Sequence, residues 1–594
     1  FSVNASSNST GAITYSSSNT SVATISGNTI TIVGAGSAVI TASQVTDNNY
    51  NAASVTANLV VVKAAATITL ADMNKTYGDA AFSVNASSNS TGAIHFTGGT
   101  LQYSAANQVD YSARVAGTAN QAIKIDTNGQ EVTFATALTG AGTTLTKLGE
   151  GTLTLTAANA YTGDTNISAG TLKVTGALAD STDVVVALGA TYAVEAADTI
   201  QSLSGAGTIE LASGITLTTG DSSNQTVSGV IQGAGTLSKV GSGTLTLSGT
   251  NTYTGSTHVD AGMLKVTGTL ADATDVVVAS GATYSAEASD TIASLSGAGS
   301  VALASGVTLT AGDSHDQTIS GAISGAGSLT KRGTGTLTLT GNNTLTGVVS
   351  IDGGTLVASQ AAGEALATAA KVIVGSGAVL DAGAPTGGYT FIKSLAGSGQ
   401  VVIAADKHLK VTAGYSSDEF SGVISGGSGT GGLEIGGGTL TLSGVNTYSG
   451  NTDITGGATL KIKGYGSIAA AGTLYVSGAN GAVLDISGAS SGVTVNNLYS
   501  AGNLAGSVVL GDNTLTLNTT DARNMGLVVS GTGGVTKTGA GTLTLSAANA
   551  YTGETTISAG TLVLTGALDS ATHVVLSGTS VWDLRTSQTV ASLS

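Results

Sequence analysis

Three titratable residues that lie close together in the sequence could carry out acid–base chemistry. Asp313, His315 and Asp316 place a carboxylate on either side of an imidazole. Such a group could move protons or assist hydrolysis of a glycosidic bond, which requires convergent carboxylates. The residue 92 positions before His315 in a similar segment is Ser223, so the group does not recur. The sequence therefore predicts no catalytic residue here.

The remaining candidate ligands predict no metal site and no cofactor. The chain has no cysteine, and its other histidines are dispersed without the short spacing typical of zinc ligands: His95, His258, His408 and His573. The glycine- and aspartate-rich nonapeptide that binds calcium in β-rolls is also absent.

Net charge excludes further classes of function. The chain carries 35 acidic and 19 basic residues, a formal charge of −16, with no block of like charge. A nucleic-acid-binding protein needs a dense basic face, so binding of nucleic acid is not expected. The sequence contains no run of about 18 apolar residues, so it predicts no membrane-spanning helix.

The overall composition predicts an all-β protein with a core of small side chains. Glycine accounts for 87 of 594 residues, and proline for only one. Hydrophobic residues make up 41% of the chain, aromatic residues 4% and charged residues 9%. A core of Val, Ile, Leu and Ala favours closely stacked strands.

The first repeat has the length of a small domain. Residues 1–13, FSVNASSNSTGAI, recur unchanged at residues 82–94, an offset of 81. Short alternating runs separated by Ser, Asn and Gly predict a β-sandwich at residues 1–64. Residues 65–95 would be a partial second copy or a cap. The first copy lacks the strand-like run that precedes the second, so we expect Phe1 to be a cut edge.

This N-terminal segment resembles the bacterial Ig-like repeats of large surface proteins. SSNTSVATISGNTITIVGAGSAVITASQ resembles the Big type, and ITLADMNKTYGDAAFSVNAS resembles the MBG type. The resemblance implies an N-terminal Ig-like spacer without an activity of its own.

A second repeat occupies the rest of the chain. The sequence GTLTL begins at five glycines, which are spaced by 92, 92, 103 and 103 residues: Gly151, Gly243, Gly335, Gly438 and Gly541. In the first unit, Asn159, Tyr161 and Gly163 follow, and the same tyrosine position is occupied by Tyr253, Tyr448 and Tyr551 in three others.

Within each long unit, glycine-bounded strands predict the coils of a solenoid. Gly151, Gly170 and Gly189 are 19 residues apart, a spacing that suits one coil. Leu153 and Leu155 share one face of a strand, so that face would point inward. Stacked coils bury surface that no single coil could bury. We expect about 20 coils in residues 96–594, on the order of 100 Å in length.

The recurrent tyrosines permit two interpretations. They could form an array that faces a ligand. The sequence favours a turn in which Asn159 and Gly163 supply the backbone conformation and the ring packs over the corner. Leu345 replaces tyrosine in the third unit and keeps an apolar side chain, which supports packing.

A charged residue precedes each GTLTL glycine by four positions. It is lysine in four units, at Lys147, Lys239, Lys331 and Lys537, and Glu434 in the remaining unit. Because the sign reverses, we expect a solvated side chain that discourages edge-to-edge association. The alternation of the strand conflicts with this, since Lys147 shares the inward parity of Leu145.

The segment from Leu145 to Val174 matches the pattern LTKxGxGTLTLxxxNxYTGxTxIxxGTLxV. It resembles the passenger-associated transport repeat, also called the autotransporter-associated β-strand repeat, and four further segments match with substitutions. The resemblance implies a right-handed parallel β-helix exported by type V secretion to a bacterial cell surface. The signal peptide and outer-membrane barrel of that family have no counterpart in these residues, so anchoring would depend on parts outside this chain.

The sequence thus predicts a non-enzymatic surface protein, the rigid stalk or passenger of an autotransporter-like adhesin. Its partner would be an unidentified protein or glycan on a host or neighbouring cell. A self-associating subunit of an extracellular fibre is the alternative, in which residues 65–94 could complete a neighbouring chain's sandwich. A β-helix enzyme that acts on polysaccharides is a second alternative.

Overall fold

The structure of the chain is a computed structural model. It describes residues 1–64, 68–70, 86–88, 92–383, 385–415, 417–469, 471–477, 480–500 and 506–594. The chain divides into two compact units, Phe1–Ala93 and Ile94–Ser594. Most of the predicted partial copy at residues 65–95 lies outside the described residues, so its role stays a prediction.

The N-terminal unit consists of short antiparallel strands. Gly36–Gln44 pairs with Ile13–Ser17 on one side and Ala53–Val61 on the other. Ala23–Ser26 forms a hairpin with Thr29–Ile32, and Ile68–Leu70 pairs with Ala86–Ser88. The core of this unit is small and contains Ala23, Ile30 and Ile40. An Ig-like sandwich stays a prediction for this unit.

The second unit is a parallel β-solenoid of about 24 turns. Each strand pairs in parallel with a strand roughly one coil later, as Thr152–Leu155 does with Thr171–Val174. The described residues include one short 3₁₀ helix, Ser112–Arg114. The predicted all-β, parallel β-helix fold is therefore confirmed for this unit.

Two sheets begin in the N-terminal half of the solenoid. Sheet A has twelve strands: Leu101–Gln102, Ala122–Asp126, Thr144–Leu148, Thr165–Ile167, Asp183–Val186, Ser202–Gly205, Gln225–Val227, Thr244–Leu247, Met263–Val266, Thr283–Ala286, Ser300–Leu303 and Ile323–Gly325. Sheet B has six: Val132–Phe134, Thr152–Leu155, Thr171–Val174, Thr191–Val194, Thr208–Leu211 and Ile231–Gly233. Thr139–Gly140 and Ala160–Tyr161 form a separate pair.

Two further sheets cross the middle of the solenoid. Sheet C has twelve strands: Asp198–Ile200, Thr216–Thr219, Thr236–Lys239, Thr257–Val259, Asp275–Val278, Ser294–Gly297, Gln317–Ile319, Thr336–Leu339, Thr355–Ala358, Val379–Asp381, Gln400–Ile403 and Val423–Gly426. Sheet D has thirteen: Asp290–Ile292, Thr308–Ala311, Ser328–Lys331, Val348–Ile351, Lys371–Val374, Leu395–Gly397, Glu419–Phe420, Thr439–Leu442, Thr459–Gly464, Val483–Ala489, Ser507–Val509, Val528–Gly531 and Ala550–Tyr551.

The C-terminal half adds two sheets. Sheet E has eleven strands: Tyr389–Ile392, His408–Val411, Gly432–Ile435, Asn451–Ile454, Thr473–Val476, Val493–Tyr499, Leu515–Asn518, Val535–Thr538, Thr555–Ile557, His573–Leu576 and Ser592–Leu593. Sheet F has four: Arg523–Met525, Thr542–Leu545, Thr561–Leu564 and Val581–Leu584.

Alternation along each strand builds one continuous core. In Thr152–Leu155 the two leucines are buried and the two threonines are partly exposed, as period two requires. The same inward positions stack from coil to coil, so Leu153 lies beside Leu172 and Leu155 beside Val174. The buried surface therefore belongs to the stack and not to a single coil.

The five long repeats do not contain a whole number of coils. Their GTLTL strands lie in sheets B, A, C, D and F in chain order, so no two consecutive repeats place this strand in the same sheet. Equivalent outward positions of consecutive repeats consequently belong to different sheets. The predicted alternative of a ligand-facing array of repeats has no continuous surface on which to form.

One asparagine in each repeat links three coils. The backbone N–H groups of residues one coil earlier donate to the Oδ1 atoms of Asn159, Asn251, Asn343, Asn446 and Asn549 at 2.8–3.1 Å. The amide of Asn159 also donates to the carbonyls of Ala157 and Ala177. These side chains satisfy backbone groups at a corner where the ladder is interrupted.

An aspartate occupies an equivalent corner two coils after Asn159. Both carboxylate oxygens of Asp198 lie 3.1–3.2 Å from the backbone N of Leu178, and Thr199 N also donates to it. Asp198 is buried, with 6% of its surface exposed. Loss of hydration raises the pKa of this carboxyl to about 6, against the two backbone hydrogen bonds that lower it.

We expect Asp198→Asn to stabilise the surrounding coils at pH 7, because the amide keeps the acceptor and removes a buried charge. Since the folded-state pKa is raised, wild-type stability declines from about pH 4 to pH 6 and stays low above it. The gain should be about 2 kcal/mol at pH 7 and vanish below pH 4. Hydrogen exchange of residues 178–200 at both pH values measures it.

Asp221 offers a control, because it is only partly buried and its carboxylate accepts a hydrogen bond from Ser223 N in its own turn. Asp221→Asn should not change that pH dependence. An Asp198→Asn variant less stable than wild type at pH 7 would contradict the ionised, buried state.

Candidate functional site

The lysine that precedes GTLTL lies inside the solenoid. Lys147 is fully buried, and its Nζ donates hydrogen bonds to the carbonyl oxygens of Leu148, Gly149 and Ala169 at 3.1, 2.6 and 3.0 Å. The first two carbonyls belong to its own corner, and the third belongs to the next coil. All three ammonium protons therefore have acceptors, which compensates a cation taken out of water.

The same arrangement recurs in three other repeats. The Nζ atoms of Lys239, Lys331 and Lys537 each donate to three backbone carbonyls at 2.6–3.2 Å. Burial lowers the pKa of all four amines, and that of Lys147 falls to about 8. The prediction of solvated lysines is wrong, and the inward parity that conflicted with it was the correct signal.

We call the three carbonyl oxygens around each lysine Nζ the lysine cage. A glycine on each side of the cage allows the carbonyls to converge. Gly149 has φ of +68° and Gly170 of +62°, values that an L side chain rarely adopts. A Cβ atom on Gly170 would lie 2.8 Å from the Nζ of Lys147. The pattern of an inward lysine with these two glycines is the sequence signal that could have revealed the cage.

The fourth repeat lacks the cage. Strand pairing places Ile435 beside Ile454, in the register of Lys147 beside Ile167, so Ile435 and not Glu434 takes the lysine position. Counting back four residues misaligned this unit because its corner is one residue shorter. Glu434 faces outward and pairs with Lys410 at 2.7 Å.

The recurrent tyrosines also lie inside. Tyr161 is fully buried, and its hydroxyl forms a 2.6 Å hydrogen bond with Thr165 Oγ1. Tyr253, Tyr448 and Tyr551 make the same bond with the threonine four residues later, at 2.6–2.7 Å. Burial raises the pKa of Tyr448 and Tyr551 to about 12, so the hydroxyls stay protonated.

The third repeat replaces both partners of this bond. Leu345 stands at the tyrosine position, and the residue four positions later is Val349 instead of threonine. Both are buried. Removing both hydroxyls leaves no unpaired polar group, which explains why the exchange is tolerated.

The asparagine and the glycines act differently from the predicted turn residues. Neither Asn159 nor Gly163 has a positive φ. Asn159 bridges coils instead, and a Cβ on Gly163 would lie 2.7 Å from Thr143 O of the preceding coil. Likewise the glycines that begin GTLTL have no room for a side chain against the preceding coil: Gly151, Gly243, Gly335, Gly438 and Gly541.

The group at Asp313, His315 and Asp316 forms an exposed turn. Asp313 Oδ1 accepts a hydrogen bond from His315 N at 2.8 Å, and Asp313 Oδ2 lies 2.6 Å from His315 Nδ1. Asp316 accepts from Thr336 N at 2.8 Å. Asp313 thus holds the backbone and imidazole of its own turn, whereas Asp316 holds the backbone of the next coil. The His315 side chain is 75% exposed.

The part of the chain that the structure describes holds neither a candidate metal site nor a candidate membrane-spanning helix. Among them, no group of three or more His, Asp or Glu side chains is placed to hold a metal ion. No helix within these residues has the length and apolar character to cross a membrane.

The segment between residues 371 and 499, which includes the fourth repeat, is rich in tyrosine. It contains six of the sixteen tyrosines of the chain. On sheet D it forms a groove of about 350 Å³ lined by Glu419, Lys461, Lys463 and Asp485 among others. Lys463 pairs with Glu419 at 2.7 Å and Lys461 approaches Asp485 at 3.8 Å. The groove charges thus neutralise one another.

A second outward feature of this segment lies on sheet E. Six residues on adjacent coils pair with one another in a row and point away from the core: Phe391, Lys410, Glu434, Asp453, Tyr475 and Tyr499. The pairing of the last two follows a shift in strand register between Thr473 and Tyr475. We call this row the outer strip. It has aromatic residues at both ends and charged residues between them.

Comparison with known proteins identifies the repeats. A family model described as the passenger-associated-transport-repeat matches residues 145–174, 237–266, 329–358, 435–462 and 535–564. These are the five GTLTL units, and each contains the asparagine described above. The resemblance predicted for these segments is confirmed.

One curated relative is an autotransporter adhesin, "Adhesin BmaC autotransporter" of Brucella suis biovar 1 (strain 1330). It is 32% identical over 406 residues, which cover 64% of this chain and 11% of that protein. The chain therefore spans about a tenth of the length of this relative. No solved structure matches the chain.

We expect Lys147→Met to destabilise the first repeat by about 2 kcal/mol, because it removes the ammonium donor of three partly buried carbonyls, one of which, Leu148 O, keeps Thr127 N as a donor. Hydrogen exchange of residues 144–174 measures the loss locally, which suits a long solenoid that need not unfold in one step. Lys173→Met is the matched control, since Lys173 is partly exposed and pairs with Glu195 at 2.6 Å. Equal protection in both variants would show that the cage contributes nothing.

We expect Tyr161→Phe to cost about 1 kcal/mol, because it removes the donor or acceptor of buried Thr165. Adding Thr165→Val should recover most of this loss, as the third repeat does naturally. Hydrogen exchange of residues 160–186 measures both variants. Tyr465→Phe, at a tyrosine with 78% exposure, serves as the control. Additive losses in the double variant would argue against the hydrogen bond.

Proposed function

We propose that this chain is part of the rod-like passenger of a bacterial autotransporter adhesin, exported to the cell surface and without enzymatic activity. The observation that carries the proposal is the direction of the recurrent side chains. The repeated lysine, asparagine and tyrosine are directed to the interior, where the first two bind backbone groups and the tyrosine binds a buried threonine. What recurs thus maintains the stack of coils.

The relative supports the same role. That protein is named as an adhesin and an autotransporter, and the match covers 64% of this chain. At ~4.8 Å per coil, about 24 coils would extend roughly 110 Å. A rod of this kind would hold a binding surface away from the cell that displays it. Its partner would be a protein or glycan on a host or neighbouring cell, and its anchor would lie outside this chain.

A fibre subunit is the second candidate, because a solenoid could also associate with further copies. The outward residues of the described repeats give it no common surface, since equivalent positions of consecutive repeats lie in different sheets. This arrangement favours a passenger that acts as a single rod. An enzyme acting on polysaccharides is a weaker candidate, because Asp313, His315 and Asp316 are engaged in an exposed turn.

We expect bacteria that display the chain on a neutral outer-membrane anchor to adhere to cultured epithelial cells at least tenfold better than bacteria displaying the anchor alone. Added soluble chain should compete. Sedimentation and electron microscopy of the purified chain should show single rods. Equal adherence of the two strains would reject the adhesin role, and ordered filaments would favour the fibre.

A further inference from the structure

The outer strip is a continuous row on six adjacent coils. Phe391 lies beside Lys410, Lys410 beside Glu434, Glu434 beside Asp453, and the row continues to two tyrosines. Five steps of ~4.8 Å give it a length of roughly 24 Å along the solenoid. The buried residues of the same strands face the core, so these side chains can meet a ligand without any change in the fold.

Aromatic rings are held in place at both ends of the strip. At one end, Tyr389 stacks on His408 with ring centroids 4.7 Å apart and on Phe391 at 5.6 Å. At the other end, Tyr475 and Tyr499 pack edge to face at 5.6 Å. Phe391 and Tyr475 are half-buried, and Tyr499 is 38% exposed. Rings fixed by packing offer a rigid apolar surface at little cost in side-chain entropy.

The two carboxylates in the middle are in different states. Glu434 is paired with Lys410 at 2.7 Å and also accepts a hydrogen bond from Thr455. Asp453, one coil further, is half-buried and has neither a hydrogen-bond donor nor a cation among the described residues. Burial and the negative charge of Glu434 raise its pKa to about 6. Asp453 therefore has unused acceptor capacity on the outer surface.

This combination discriminates between kinds of ligand. An anionic ligand is disfavoured, because it would be repelled by the uncompensated carboxylate of Asp453. The lysine of the strip is already paired with Glu434 and leaves no free cation to offset this repulsion. A protein partner would need a long exposed strand edge or one cluster of apolar anchors. Five of the six strands of the strip are paired on both sides, and the first, Tyr389–Ile392, is bridged to Leu366 at Ile392. The rings at the two ends are separated by charges, so the strip offers neither feature. A sugar chain presents C–H faces for the rings and hydroxyl donors for carboxylates.

We propose that the outer strip binds a neutral oligosaccharide, which lies along the solenoid with pyranose rings against Phe391 and Tyr475 and hydroxyl groups donating to Asp453. This inference names a ligand class for the adhesin and in that respect rests on the proposed function. The strip contains none of the recurrent positions of the five repeats. It is thus a single site on the rod.

The test uses the purified full chain and a panel of neutral hexasaccharides: cellohexaose, laminarihexaose, maltohexaose and hexa-N-acetylchitohexaose, with hexagalacturonate as the anionic comparison. Isothermal titration should show binding of at least one neutral sugar. Asp453→Ala and Tyr475→Ala should each weaken it at least tenfold. The paired substitution of Lys173 and Glu195 by alanine, and Tyr465→Ala, should change it less than twofold, since these residues lie outside the strip.

Unchanged hydrogen exchange in each variant verifies that the coils are intact. The proposal is overturned if no neutral sugar binds, if hexagalacturonate binds best, or if the control variants lose as much affinity. If new reducing ends are released from the sugar, the chain hydrolyses it and the proposal of a binding site is overturned. If the chain dimerises and Tyr475→Ala abolishes the dimer, the strip binds a second copy of the chain instead of a sugar. A chain that binds sugar but confers no adherence would instead reject the adhesin role alone.

Discussion

Stacking of parallel coils at the spacing of a β-ladder is the constraint on which the other features of this solenoid depend. Each corner must pass within van der Waals distance of the corner below, which leaves no room for a side chain at Gly151 or Gly163. Corners also interrupt the ladder and leave backbone groups unpaired. Asn159 supplies an acceptor for a donor of the preceding coil, and Lys147 supplies donors for three carbonyls. Polar residues in the core therefore complete the backbone hydrogen bonding that the strands begin.

The fold could be predicted from the sequence because period-two alternation and glycine spacing are local signals. Leu153 and Leu155 identify an inward face without knowledge of neighbouring coils. The role of Lys147 could not be derived in the same way, since its third acceptor, Ala169 O, lies 22 residues away. Charge type suggested a solvated side chain, while parity indicated burial, and only the geometry of two coils decides between them. The misplacement of Glu434 has a similar origin, because a corner shortened by one residue is visible only in strand register.

The outer strip was not predicted because its members are separated by 19 to 24 residues and share no motif. Phe391 and Tyr499 become the two ends of one row only when six coils are stacked on one another. Conversely, Asp313 and His315 are only two positions apart in the sequence and form the most obvious chemical cluster, yet they hold a turn. In this solenoid, residues that are close together in the sequence share a corner, whereas residues about one coil apart in the sequence can share an outer surface.

The mismatch between repeat length and coil length affects what duplication can achieve in such a protein. A substitution that spreads through all five GTLTL units would appear on successively different sides of the solenoid. A flat opposing surface could touch only some of these copies at once, so copying a repeat adds reach much faster than it adds valency. Multivalent attachment would instead require changes at positions that share a sheet, which belong to different parts of the repeat. The length of the solenoid and the number of its adhesive contacts can therefore evolve separately in this architecture.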